Sequence, residues 1–217
     1  MISADEIALV CERLGTRSER GSWYRAVRPQ YLAEALNVEH TSKGMGRFHR
    51  ARTCTILYLV GSPDASLYEV EYITGRPGVP GGSIPNPRAG AFTILTVEAS
   101  LARVIDLTDA DTREAFRTTA QELTGDWRGY WQRDASTRLQ EPTGPAPTQN
   151  LGGALFACGR FEGFVSFSAQ VPYEPILCVF PDRLQRGAYV EYSWTDSAGL
   201  EQKRRIGATK RTLTRVR

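Results

Sequence analysis

Residues that hold metals or carry redox chemistry are scarce in this sequence: two histidines, His40 and His49, and four cysteines, Cys11, Cys54, Cys158 and Cys178, with no Cys-x-x-Cys pair. A zinc or histidine-based centre needs three or four such ligands at short spacing, so no metal site is expected and the cysteines read as single buried thiols. No run approaches the ~18 to 20 apolar residues of a membrane span. The opening Met-Ile-Ser-Ala-Asp-Glu also lacks the basic and apolar regions of a signal peptide, so the expected compartment is the cytoplasm, with no membrane association. Also missing are the G-x-x-x-x-G-K-[ST] phosphate loop, a G-x-G-x-x-G after a strand, the G-x-S-x-G elbow and H-E-x-x-H. Those absences exclude the commonest routes to nucleotide hydrolysis, dinucleotide redox chemistry, serine hydrolysis and zinc proteolysis.

What is present suits one globular domain: 217 residues, 41% of them hydrophobic, with 24% charged and breakers spread along the chain. The net charge of +3 is uneven. Residues 203–217 hold Lys203, Arg204, Arg205, Lys210, Arg211, Arg215 and Arg217 without an acid, so this tail carries +7 and the remainder −4. A basic run of this kind is ordinarily a solvated surface, although it can also bind phosphate backbones.

Ser3 and Glu6 make a capping box ahead of Ile7, Val10 and Leu14, which predicts an N-terminal helix ended by Gly15. Trp23 to Val27 reads as a strand, and Tyr31 to Leu36 as a short helix. Thr53 to Val60 is a buried strand by its β-branched, apolar composition, and Ser62-Pro63 then starts a helix over 64–72. Nine glycines and prolines within 75–90 predict a loop. Strands are expected at 91–97 and 102–107, one helix from Thr108 or Asp109 through Leu123, and a Gly/Ala helix at 149–158. Further strands fall at 164–168, 176–180 and 188–194. The order alternates too irregularly for a doubly wound parallel sheet, so the expected class is α+β, a single domain with a mixed β-sheet core and flanking helices.

The polar residues set beside these apolar segments are Arg25, Arg47, His49, Tyr58 and Glu69. Each alone has an ordinary explanation in packing or solvation. Together, two guanidinium groups, a carboxylate and a phenol are what a pyrophosphate and a reacting ribose require.

In order along the chain, Trp23-Tyr24-Arg25, Gly46-Arg47-Phe48-His49, Leu57-Tyr58-Leu59, Leu67-Tyr68-Glu69-Val70, Val104-Ile105-Asp106-Leu107, Thr148-Gln149-Asn150-Leu151-Gly152 and Gly163-Phe164-Val165-Ser166-Phe167-Ser168 resemble the successive motifs of the RES domain family. The resemblance implies a catalytic domain over 23–200, with an N-terminal helical extension at 1–22 and the basic segment at 201–217. It implies a fold similar to ADP-ribosyltransferase toxins. It further implies a toxin of a bacterial toxin–antitoxin pair that degrades NAD+, with phosphorolysis to nicotinamide and ADP-ribose-1″-phosphate as the reaction. NAD+ would be substrate, inorganic phosphate the co-substrate, and no bound cofactor would be needed. The implied partner is an Xre-like antitoxin, through which alone the protein would meet nucleic acid.

Carried over, Arg47, Tyr58, Glu69 and Ser168 are catalytic, with Ser166 the competing register for the serine. Arg25, Tyr24, His49 and Gln149 would bind the dinucleotide, with Arg25 and Arg47 holding its phosphates or the attacking phosphate and Gln149 lining the pocket. Many members carry Asn where this chain has His49. Two other readings stand beside this one: an ADP-ribosyltransferase acting on a protein, and a noncatalytic nucleic-acid-binding module using the basic tail with Trp127 and Trp131.

Overall fold

Strand-by-strand alternation of side chains builds the molecule, seen in a computed structural model that describes residues 1–130 and 144–208. Trp131, Pro142, Thr143 and the tail cations Lys210, Arg211, Arg215 and Arg217 lie outside the described residues. Strands β1 (Arg17–Val27) and β2 (Leu57–Val60) precede a small hairpin of β3 (Ile73–Gly75) and β4 (Ser83–Pro85). Then come β5 (Thr93–Asp106), β6 (Gly163–Phe167), β7 (Pro175–Val179), β8 (Tyr189–Thr195) and β9 (Glu201–Gly207). Seven of them form one sheet in the order β1-β2-β7-β6-β5-β8-β9. Only the β5–β6 pair is parallel among the described strands. Because β1 also pairs with β5 from Arg17↔Val104 to Val27↔Thr93, strands β1, β2, β7, β6 and β5 close into a ring. The chain is thus a mixed α+β domain.

The ring has a weak seam. β1 meets β2 at a single pair, Tyr24↔Val60, whereas β2 and β7 pair over four residues. At the seam the Arg25 Nη1 donates to the carbonyl of Tyr58 at 2.8 Å.

Alternation splits the apolar residues into two cores. Trp23, Val27, Leu57, Leu59, Leu95, Val97, Val165, Leu177 and Val179, drawn from every strand of the ring, meet in one. Ile56, Val60, Phe164, Ile176 and Cys178 face the other way. They are covered there by α1 (Ala4–Arg13) through Ile7 and Cys11, and by the long C-terminal helix, Pro147–Ala157, through Leu151 and Leu155. Between them in sequence are α2 (Glu39–Lys43), α3 (Pro63–Glu69), α4 (Ala110–Ala115) and α5 (Ala120–Thr124); Pro147–Ala157 is α6. The capping box forms as expected: Ser3 N donates to Glu6 Oε2 at 2.9 Å and Glu6 N to Ser3 Oγ at 3.3 Å.

Several expectations need correction. The strands expected at 91–97 and 102–107 are one strand, β5, because the residues between them pair with β1 from Ser22↔Glu98 to Glu19↔Leu101 and with β8 from Glu98↔Glu191 to Ser100↔Tyr189; just beyond, the fully buried Glu162 carboxylate accepts from the Ala102 and Arg103 amides. The single helix expected to Leu123 is two. Arg117 takes a positive φ of 46°, and Thr119 then caps α5 by accepting from Glu122 N at 3.1 Å. The segment 75–90, expected as loop, contributes the β3–β4 hairpin, which Tyr68 ties to α3 by a hydrogen bond to Ser83. The short helix expected at 31–36 is a 3-10 turn over Pro29–Glu34. The cysteines are all free, but Cys11 and Cys158 are not solitary. Interaction with Cys158, together with burial, pushes the Cys11 thiol up, and Cys158 is only half-buried, its thiol donating to the Leu155 carbonyl at 3.0 Å.

Candidate active site

Glu69 ends α3, which Ser62 starts by accepting from Ala65 N at 3.3 Å with Pro63 in the first turn. Its carboxylate is exposed and receives the Ser168 hydroxyl at 2.6 Å. Ser168 sits just past β6, and its Oγ also accepts from the backbone amides of Gln170 at 3.0 Å and Val171 at 3.1 Å. Two donors occupy the oxygen's lone pairs, so its single proton is directed to Glu69 Oε1. The second oxygen, Oε2, has no hydrogen bond or ion pair among the described residues and remains free to face a ligand. Ser166, the alternative register, is fully buried with an unpartnered Oγ and does not meet Glu69.

Arg47 approaches from the Gly46–His49 turn. Its Nη1 donates to the carbonyls of Gly125 at 2.7 Å and Leu123 at 3.3 Å, which anchors the guanidinium on the C-terminal end of α5. Burial lowers its pKa and the Glu69 carboxylate works against that. Arg47, Tyr58 and Glu69 line one cleft of about 350 Å³, together with Gly125, Trp127 and Arg128. A second hollow of about 230 Å³ shares Tyr58, Glu69 and Ile176 with it and adds Tyr24 and Arg25. The structure therefore brings Tyr24, Arg25, Arg47 and Tyr58 to two adjoining hollows that share Glu69, with Ser168 bonded to its carboxylate.

His49 and Gln149 stand elsewhere. Neither lines these hollows, and both are buried, at 4% and 7% exposure. The expected ligand contact is replaced by a supporting role. Gln149 Nε2 donates to Gly46 O at 3.0 Å and His49 O at 3.4 Å, while its Oε1 accepts from Ala146 N at 3.2 Å, so it clamps the arginine turn onto the start of α6. The His49 Nδ1 lies 3.0 Å from the Tyr58 hydroxyl, which also accepts from Phe48 N at 3.3 Å. Burial brings His49 down to about 4 and Tyr58 well above its ordinary value. At neutral pH the phenol is therefore protonated and donates to an unprotonated Nδ1, which fixes its ring in the cleft wall.

This arrangement sets a pH dependence. Unfolded, His49 takes up a proton near 6.5; folded, only near 4. Between these values the unfolded state holds more protons, so stability falls as pH drops from about 6.5 to 4, by a His49 contribution on the order of 3 kcal/mol. Urea titrations of the wild type and His49→Asn across that window are expected to give the steeper loss in the wild type. Parallel curves would show that His49 is not the group responsible.

Arg128 and Glu71 were not legible as site residues, and Trp127, offered only to the nucleic-acid reading, lines the same cleft. Arg128 lies 3.9 Å from Glu71 across the cleft, and its guanidinium is 5.5 Å from the Trp127 ring centroid. Glu71 holds a positive φ of 58°, a conformation that no motif announces.

A mixed α+β domain whose sheet ring and flanking turns gather Arg47, Tyr58 and Glu69 in one cleft, with Ser168 holding the carboxylate, defines a class of protein built on that scaffold. The chain belongs to the RES domain family, whose model matches residues 22–197. Among solved structures, a chain of the M. tuberculosis MbcT–MbcA toxin–antitoxin complex has the same fold. It matches at a TM-score of 0.58 and 19% identity, covering 94% of this chain and 93% of that chain. No curated protein matches the chain in sequence.

Proposed function

We propose that this protein is the toxin of a bacterial toxin–antitoxin pair and that it degrades NAD+ by phosphorolysis of the nicotinamide glycosidic bond. The observation that carries the reading is the oriented Glu69 carboxylate, held by Ser168 at 2.6 Å in a cleft it shares with Arg47 and Tyr58. Family membership supports it, as does a fold shared with a chain of a toxin–antitoxin complex. By the same analogy the partner is a cognate antitoxin of the Xre-like kind.

In the reaction the C1–N bond to the pyridinium breaks first, and its electron pair leaves with nicotinamide as a neutral molecule. Positive charge develops at the anomeric carbon, where the free oxygen of Glu69 stabilises it. A phosphate oxygen then forms the new bond to that carbon, its charge held by Arg47. Arg25, brought down to about 10 by burial, is still a cation at neutral pH and takes the pyrophosphate. Tyr58, protonated and fixed by His49, packs against the nicotinamide ribose.

The purified protein, free of antitoxin, is expected to release nicotinamide from NAD+ in proportion to added inorganic phosphate and to form a phosphorylated ADP-ribose. Label from adenine-labelled NAD+ on a macromolecule would instead establish the ADP-ribosyltransferase reading. NAD+ left intact with and without phosphate would sink both.

A further inference from the structure

A third cavity opens on the other side of Arg25. It encloses about 650 Å³, within the range of small-molecule sites, and shares Arg25 and Ala26 with the hollow beside Glu69. Its walls come from the end of β1, the 3-10 turn over Pro29–Glu34, α2 and Phe92 just before β5. The weak seam between β1 and β2 lets one residue serve both spaces. Arg25 leaves the strand on the face of Trp23 and Val27, opposite Tyr24, and at the seam where β1 and β2 pair only once its guanidinium reaches across to the Tyr58 carbonyl and lines both spaces.

Three observations describe what would fit there. The Arg25 Nε is a buried donor without a partner, an expensive state that an acceptor in the cavity would relieve. Arg28 and Lys43 add cations to the lining, against the carboxylates of Glu34 and Glu39. Planar surfaces are exposed beside them: Tyr31 is 56% exposed, and the Arg28 guanidinium stands 5.9 Å from the Phe92 ring centroid. A phosphate for Arg25, flat surfaces for a base and carboxylates for ribose hydroxyls describe a nucleoside 5′-monophosphate.

We propose that this third cavity is the adenylate subsite, and that the ligand runs from Tyr31 and Arg28, past Arg25 at the seam, to Glu69. The proposal rests on the NAD+ reading, because it assigns the second half of that dinucleotide. Arg25 then sits at the pyrophosphate, between the two nucleosides. The nicotinamide half occupies the hollows lined by Tyr58 and Glu69.

Adenosine monophosphate tests the subsite without turnover. Isothermal titration is expected to show binding to the wild type and to Leu9→Ala, an exposed change on the distant α1. Tyr31→Ala and Arg28→Ala, both at exposed side chains, are expected to weaken it about tenfold each, the loss expected for one base-stacking contact. In the full reaction Tyr31→Ala should narrow the preference for NAD+ over nicotinamide mononucleotide by about tenfold, mostly through KM. Adenosine monophosphate that fails to bind, or that binds both variants as it binds the wild type, overturns the proposal. A wild type that binds it in this pattern yet leaves NAD+ uncleaved keeps the subsite and removes the cleavage reading.

Discussion

Glu69→Gln is expected to lower nicotinamide release by about 10²–10³-fold, the usual cost of removing one preorganised electrostatic partner of the transition state. The loss should fall on kcat, with KM for NAD+ changed much less, because the carboxylate acts on charge that exists only as the glycosidic bond breaks. The amide keeps the size of the side chain and can still accept from Ser168, whose hydroxyl donates to Glu69 Oε1. Since Glu69 is exposed, its melting temperature should match the wild type. Ser168→Ala is the companion variant. It leaves the charge and removes its orientation, and it also takes the acceptor from the Gln170 and Val171 amides, so with activity compared between folded samples a smaller kcat loss is expected. An equal loss in both, or a Glu69→Gln variant with full activity, would contradict the role given to the carboxylate.

The second large effect concerns two neighbouring glycines in α6. A Cβ at Gly152 would fall 2.0 Å from the carbonyl oxygen of Phe48, a backbone atom, whereas one at Gly153 would meet nothing within 4 Å. Gly152→Ala must therefore push the turn that carries Arg47 away from the helix. It is expected to cost about 1–3 kcal/mol or more, as overpacking of a filled core does, and to lower activity with it. Gly153→Ala should do the opposite, adding about 0.5–1 kcal/mol by relieving a helix-interior glycine of its extra unfolded-state entropy. Chemical denaturation of the pair checks this directly. Two variants of equal stability would mean that the close approach of helix and turn is not maintained in solution.

Where the sequence was readable, the information was local. The Ser3–Glu6 box, the Ser62-Pro63 helix start and the buried strand leading into it each occupy a few adjacent residues, and the structure keeps all three with shorter ends. The motif order also pointed to Arg47, Tyr58, Glu69 and Ser168, which converge. What could not be read depends on closure over distance. Arg47 finds Gly125 across 78 residues, and Gln149 finds Gly46 across 103. No periodicity reports such contacts, so Trp127 and Arg128 in the cleft wall, and the burial of His49 behind Tyr58, come only from the folded chain. The unity of β5 was hidden for the same reason. Its continuity depends on pairing with β1 and β8, so that Glu98 meets Ser22 on one side and Glu191 on the other, both remote in the sequence.

The distance between Glu69 and Ser168, 99 residues, has a consequence for the protein as it is made. A ribosome that has released Glu69 has produced a carboxylate with no hydroxyl to orient it. The ring of strands likewise stays open until β6 and β7 are made and docked. Long-range strand pairing is slow compared with local helix formation. The growing chain therefore carries the parts of the site without the site, which is assembled only when the last strands of the ring close. An interval is thus left between the synthesis of these residues and their assembly.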